Sequence, residues 1–330
     1  MINSDRVSRE ETETIKGHYK MVGKSPSIRK VFQFINKVKD INAPVFIWGE
    51  SGTGKELVAR NIHLTGTRKK QSFVALNCGA IPENLLESEL FGYRKGSFTG
   101  ALRDKPGLIE EANRGSLFLD EICDLSPMLQ AKFLRVLQEK ELRRIGENKP
   151  RTVDIRVISA TNKDIDKEVE EGRFREDLYY RLKIISIKLP SLRDRACDIL
   201  YLLEYYKEQF SRDMNLKKLP FSSRAIDFLL SYTWPGNIRE LKSEVLKCMV
   251  LCQDSDVISE NNLSQKIHLN GKKKSPISYD FFTARADFER RYLNQVLARF
   301  NYNQTQTAEN IGLSRQGLFK LIKKHGIEIP

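Results

Sequence analysis

Cysteine is scarce in this chain of 330 residues: Cys78, Cys123, Cys197, Cys248 and Cys252, an odd set without a CxxC pair. That excludes a dense disulfide framework and reads as reduced thiols. Cys248 and Cys252 lie four apart in an apolar helical stretch with no histidine near in sequence, so they read as core packing rather than metal ligands. No run of about 18 apolar residues is present, which excludes a membrane-spanning helix. The opening MINSDRVSREETETIKGHYK is polar and mixed in charge, with no apolar centre, so it is no secretory leader. A cytoplasmic protein is expected. Acidic residues are outnumbered, 43 against 56 Lys and Arg, for a formal charge of +13. From Gly271 onward eleven cations face five acids. Such a basic tail suggests nucleic-acid contact, with a merely solubilising surface as the alternative.

What is present is alternation. Short apolar runs such as APVFIWG (43–49), FVALNC (73–78), GSLFLDE (115–121), VDIRVISATN (153–162) and IISIKLP (184–190) are separated by helical patterns. This predicts an α/β fold, a mostly parallel sheet with helices on both faces. After Pro190 the strands stop, and helical patterns over 198–210, 222–232 and 237–251 predict a lid subdomain. The polar stretch 255–278 reads as a linker, and a last helical module begins near Phe281. Repeats and low-complexity tracts are absent.

GESGTGKE, Gly49 to Glu56, nearly spells the phosphate-binding loop GxxxxGK[ST]. Gly49, Gly54 and Lys55 fit; Glu56 stands where a magnesium-binding hydroxyl is expected. The loop lies between an expected strand and helix, the context that aims backbone amides at phosphate oxygens. Asp120 and Glu121 end a later strand. An aspartate there can hold Mg2+, and the glutamate beside it can deprotonate an attacking water. Together they predict nucleotide hydrolysis.

GESGTGKELVAR, LNCGAIPENLLESELFGYRKGSFTGA, GSLFLDEI, GRFREDLYYRL, LPSLRDR and WPGNIREL follow in that order. From about Val22 to Leu251 the chain resembles the AAA+ family of bacterial enhancer-binding proteins, ATP-dependent activators of sigma-54 RNA polymerase. In that family glutamate is usual at the position of Glu56. The resemblance implies an AAA+ P-loop ATPase with ATP and Mg2+ as cofactors and Asp120 at the metal. It implies nucleotide binding by Val22, Gly23, Gly49, Glu50, Ser51, Gly52, Thr53, Gly54, Lys55 and Glu56. Asn77 is implied to restrain Glu121. Thr161 and Asn162 resemble sensor I, and Arg239 resembles sensor II. Arg175 and Arg181 resemble the pair that supplies arginine fingers across subunits, which implies self-association, dimer to hexameric ring; their alternative is surface ion pairing.

GSFTGA, Gly96 to Ala101, has a glycine at each end of a bend and Phe98 between them. In a long, polar, basic segment an exposed aromatic suits a partner contact, and a packed turn is the bland alternative. The hexapeptide resembles the GAFTGA loop that engages sigma-54, with Ser97 in place of the commoner alanine and the contact pair, Phe98 and Thr99, intact.

The stretch 303–326 has helix-turn-helix spacing. Ala308 is small where helices would cross, and Gly312 suits the turn. Leu313, Leu318 and Leu321 are apolar around it, and Ser314 can cap the second helix. That helix would offer Arg315, Gln316, Lys320 and Lys323 to double-stranded DNA. The module resembles the Fis-type domain of the same family, with 288–300 as the helix through which such modules pair. The expected order is 1–20, a linker or remnant of a regulatory domain; 21–190, the α/β subdomain; 191–254, the lid; 255–280, a linker; and 281–330, the DNA-binding domain. The function implied is remodelling of sigma-54 RNA polymerase from upstream sites. The rivals are a regulator that uses the ATPase fold only to assemble, and a DNA-remodelling motor.

Overall fold

A computed structural model describes residues 20–271, 281–300 and 302–326. The chain divides at Asn270 and Gly271 into two compact units. The expected N-terminal linker, except Lys20, and residues 272–280 of the second linker lie outside the described residues.

Among the described residues the first unit carries nine strands: β1 Val45–Trp48, β2 Phe73–Asn77, β3 Gly92–Tyr93, β4 Lys105–Pro106, β5 Ser116–Asp120, β6 Glu141–Leu142, β7 Arg151–Thr152, β8 Arg156–Thr161 and β9 Ile185–Lys188. Five form one all-parallel sheet in the order β2-β5-β8-β1-β9. Alternate side chains on a strand face opposite ways, and the packing follows. Leu117 and Leu119 of β5 join one core with Leu90, Ile109 and Phe133. Phe118 between them joins the other, with Ile35, Val58 and Ile62. Both faces are therefore covered, which is why these strands read as unbroken apolar runs. Because β1, β2, β5 and β8 are parallel, their C-terminal ends bring Gly49, Asn77, Asp120 and Thr161 to one edge. The pairs β3–β4 and β6–β7 are two-residue antiparallel stems. Strands so short carry no readable period.

The lid begins with a 3-10 turn, Leu192–Asp198, followed by helices Ile199–Met214, Ser223–Ser231 and Asn237–Leu251. Trp234 is fully buried at its centre, and its Nε1 donates to Leu229 O at 2.8 Å. Cys248 and Cys252 pack in this core as expected. The linker expected from Ser255 is corrected as far as Gly271. Residues Glu260–Asn262 and Gln265–Gly271 are helical, and Ile258, Leu263 and Ile267 are buried in the lid core. Glu244 Oε1 accepts the Ser264 amide at 2.7 Å, and its Oε2 the Ser264 hydroxyl at 2.6 Å. Three apolar side chains among many polar ones suffice to dock the segment.

The second unit has helices Phe281–Arg299, Gln304–Asn310 and Arg315–Lys324. Leu293, Leu297, Ala308, Leu318 and Ile322 form its core. Gly312 has φ 70°, which favours glycine at the turn. Leu313, expected among the apolar positions, is 39% exposed.

Candidate nucleotide site, partner loop and DNA-reading helix

The phosphate loop runs from the end of β1 into the helix Lys55–Thr65. Gly54 caps that helix at φ 101°. At Gly52 a Cβ would lie 2.3 Å from Gly236 O, so only glycine lets the lid approach. Thr53 Oγ1 donates to Glu50 O at 2.7 Å and tightens the bend. Lys55 is buried; its Nζ donates to Gly49 O at 3.1 Å and to Glu121 Oε1 at 3.3 Å. Glu56, at the hydroxyl position, is ion-paired with Arg60 one turn on.

Glu121 follows β5 with φ 51°, a left-handed conformation that costs a non-glycine residue about 1–3 kcal/mol and clusters at functional sites. Its Oε2 accepts the Asn162 amide at 3.0 Å and the Thr161 hydroxyl at 3.5 Å. Asp120 Oδ1 accepts the Glu121 amide at 3.1 Å. Burial raises the Asp120 carboxyl above the ordinary aspartate value, against the pull of Lys55. Asn77 stands opposite Asp120 in the sheet register. Its Oδ1 accepts the Gly79 amide at 3.0 Å, while Glu121 bonds to Lys55, Thr161 and Asn162.

A cleft of about 460 Å³ brings Ser51, Gly52, Gly54, Lys55, Glu56, Asn77, Asp120 and Glu121 together with Arg239 and Lys242 of the lid. Arg239 Nη1 donates to Ser51 Oγ at 2.9 Å. Three further groups, unseen in the sequence reading, hold the loop. Asn237 Nδ2 donates to Ser51 O at 3.0 Å and Glu50 Oε2 at 3.2 Å. Arg193 grips Glu50 with both terminal nitrogens, which holds the Glu50 carboxyl below its usual value. Arg195 is buried, and its Nη2 donates to Thr53 O at 3.3 Å. The motifs that hold them, LRDR and GNIREL, are legible in the sequence, and the contacts are not.

Other expected residues lie elsewhere. Arg175 pairs with Asp177 at 2.7 Å, and Arg181 Nη2 donates to Leu137 O at 3.2 Å. Neither is among the residues lining the cleft. Val22 packs against the lid core, and Gly23 lies against Asp198.

The GSFTGA loop crowns the β3–β4 stem. Gly96 and Gly100 have φ 82° and 103° in open space. Gly96 N donates to Ala101 O at 2.9 Å and closes the loop on itself, with Ala101 buried beneath. Ser97 packs against Gly146, the neighbouring β6–β7 turn. Phe98 is 45% exposed but meets Tyr93 edge to face at 4.9 Å, so it is partly supported. Leu102, just beyond the hexapeptide, is 84% exposed.

In the second unit Ser314 Oγ accepts the Gly317 amide at 3.1 Å, the expected cap. Arg315, Gln316, Lys320 and Lys323 are all exposed on that helix. Glu289 on the first helix accepts from Arg285, His325 and Lys324, which holds its carboxyl down at about 2.

Three families match the chain in succession: the sigma-54 interaction domain over residues 21–188, the AAA+ ATPase lid domain over 193–279 and the bacterial regulatory protein Fis family over 284–325. The transcriptional regulatory protein ZraR of Klebsiella oxytoca is 42% identical over 95% of this chain and 70% of its own length. The response regulator protein PilR of Pseudomonas aeruginosa is 40% identical over 98% of this chain and 73% of its own. The crystal structure of NtrX from Brucella abortus in complex with ATP superposes with a TM-score of 0.71 at 34% identity, covering 94% of this chain and 70% of that one. With its AAA+ P-loop domain, helical lid and Fis-type DNA-binding module, the chain belongs to the family of sigma-54-dependent transcriptional activators.

Proposed function

We propose that this protein hydrolyses ATP in the cleft between the sheet edge and the lid, and uses the cycle to drive the GSFTGA loop against sigma-54 and open the promoter. The observation that carries the reading is the convergence of Lys55, Asp120, Glu121 and Arg239 on one cleft. The cleft fits a nucleoside triphosphate: the glycine loop enters a helix N-terminus, and a buried cation stands beside it. Lys55 and the loop amides would hold the phosphates, Val22 and Gly23 would receive the base, and Asp120 would hold Mg2+. Magnesium supplies charge neutralisation to the transferring phosphoryl group. Glu121 is the base: once its carboxylate leaves Lys55, it can take a proton from the attacking water. Arg239 reports from the lid. Asn77, which stands opposite Asp120 in the sheet register, would restrain Glu121 when nucleotide is bound, and Thr161 and Asn162 would orient it.

Arg175 and Arg181 belong, in this reading, to a neighbouring subunit's site, so activity requires a ring. The second unit binds upstream DNA through Arg315, Gln316, Lys320 and Lys323. The domain order is that of the sequence reading, with the lid extended to Gly271.

The test is ATP turnover and open-complex formation on a sigma-54 promoter. Turnover is expected to respond to sigma-54 holoenzyme. Turnover that responds to DNA alone, without promoter opening, would favour the DNA-motor reading instead.

A further inference from the structure

The turn Leu192–Asp198 ties two segments together, the phosphate loop and the stretch before the helix Pro26–Val38. Through Arg195 it holds Thr53 O of the phosphate loop at 3.3 Å. Through Asp198, which is fully buried, it holds the segment before the first helix. Asp198 Oδ1 accepts the Lys24 and Ser25 amides at 2.7 and 2.8 Å, and Oδ2 accepts the Ser25 hydroxyl at 2.6 Å. Ser25 Oγ in turn caps the helix Pro26–Val38 at Ile28 N. At Gly23 a Cβ would stand 2.9 Å from Asp198 Oδ2, so the backbone is drawn close to this carboxylate. Met21 is seated in a core of the α/β subdomain and Val22 against that of the lid. Lys24 Nζ lies over the Tyr201 ring at 5.0 Å.

Three hydrogen bonds to one buried carboxylate hold a backbone far more tightly than a surface loop is held. Because the same short turn also grips the phosphate loop, the segment that carries Val22 and Gly23 is tied to the phosphate loop through the four residues 195–198. We infer that Asp198 is a positioning residue for nucleotide recognition: it holds the Val22–Gly23 backbone where the base is received, while the phosphates are held independently. The inference rests on the proposed reading that Val22 and Gly23 touch the nucleotide.

The experiment titrates the full chain with a fluorescent ATP analogue, then competes it with ATP and with inorganic tripolyphosphate, which has no base. Asp198→Asn keeps the shape and removes the charge. It should weaken ATP by about ten-fold, the scale of one charge-assisted hydrogen bond, and leave tripolyphosphate unchanged. In turnover the loss should fall on KM more than on kcat. Parallel loss of both competitors, or no loss of ATP affinity, overturns the inference. Ser25→Ala, which drops one bond of the three, should show a smaller loss of the same kind if the first variant does not fold; unchanged ATP affinity there also overturns it. Wild-type chain that binds ATP no tighter than tripolyphosphate would overturn the underlying reading as well, because no base contact would then exist to position.

Discussion

Lys55 Nζ and Glu121 Oε1 are 3.3 Å apart, an ion pair that joins the phosphate loop to the end of β5. The same lysine is proposed to hold phosphate and the same glutamate to act as base, so each masks the other until substrate competes. Glu121→Gln removes the competitor and the base together. ATP should bind at least as tightly as to the wild type, while turnover falls by about 10²–10⁴. Binding by titration and single-turnover hydrolysis measure the two halves, and near-normal turnover would remove Glu121 from the chemistry.

Asp120 gives a pH signature. Burial raises its folded carboxyl above the unfolded value. The sign follows: a raised acid is protonated more readily in the folded state, so the fold is disfavoured as pH rises through the folded value. Asp120→Asn should therefore melt at higher temperature than wild type near pH 7. The gain should vanish as pH falls below the ordinary aspartate range near ~3.9, where the wild type is neutral too. Magnesium-dependent turnover should be lost at every pH. Melting curves of both proteins across pH decide it; a stability gain that persists in acid would point to another cause.

Much of this architecture is legible because period and position agree. The alternation of Leu117, Phe118 and Leu119 marks a strand with two buried faces, and Asp120–Glu121 marks its end. Ser314 reads as a cap because the spacing to Gly317 is local. What escapes the sequence reading is distance in the chain. Arg193 reaches Glu50 and Asn237 reaches Ser51 across more than 140 intervening residues, a pairing that no local pattern encodes. Ile258, Leu263 and Ile267 escape for another reason: sparse apolar residues in a polar stretch resemble a linker until a lid core is there to receive them.

The arginines test the ring. In the structure the Arg175 side chain pairs with Asp177 and that of Arg181 reaches Leu137 O, both within the first unit. Both are exposed, so Arg175→Ala and Arg181→Ala should fold normally. A finger supplied by a neighbour is worth on the order of 10³–10⁵ in rate. Either variant mixed with Lys55→Ala should recover part of the lost ATPase, because an intact site then forms across one interface. Failure of both mixtures would argue that neither residue acts across subunits.

The second unit makes a prediction about salt. Binding to duplex should fall by about 0.9 log units per log unit of salt for each phosphate neutralised. Lys323→Ala should lower that slope by about one unit if it meets phosphate. Arg315→Ala should weaken a specific site by about 1–3 kcal/mol and random duplex less, if it reads a base edge. Equal losses on both duplexes would reassign Arg315 to the backbone.

The GSFTGA loop separates engagement from hydrolysis. Phe98 touches Tyr93 edge to face at 4.9 Å and is 45% exposed. An aromatic pair of this kind contributes about 0.5–1.5 kcal/mol, well short of the 3–5 kcal/mol or so that truncating a core phenylalanine costs. Phe98→Ala should therefore stay folded and keep most of its ATPase, yet lose the complex with sigma-54 trapped by a transition-state analogue of ATP. Leu102 lies outside the hexapeptide but is 84% exposed, so Leu102→Ala should change stability by no more than about 0.5 kcal/mol. If the apolar surface of the whole loop meets the partner, Leu102→Ala should also weaken the trapped complex, whereas a contact confined to GSFTGA predicts wild-type binding. Loss of folding and ATPase together in Phe98→Ala would make the residue structural. A folded, hydrolysing Phe98→Ala protein that still opens sigma-54 promoters would sink the proposed coupling, because the loop would then be dispensable to the step it is assigned.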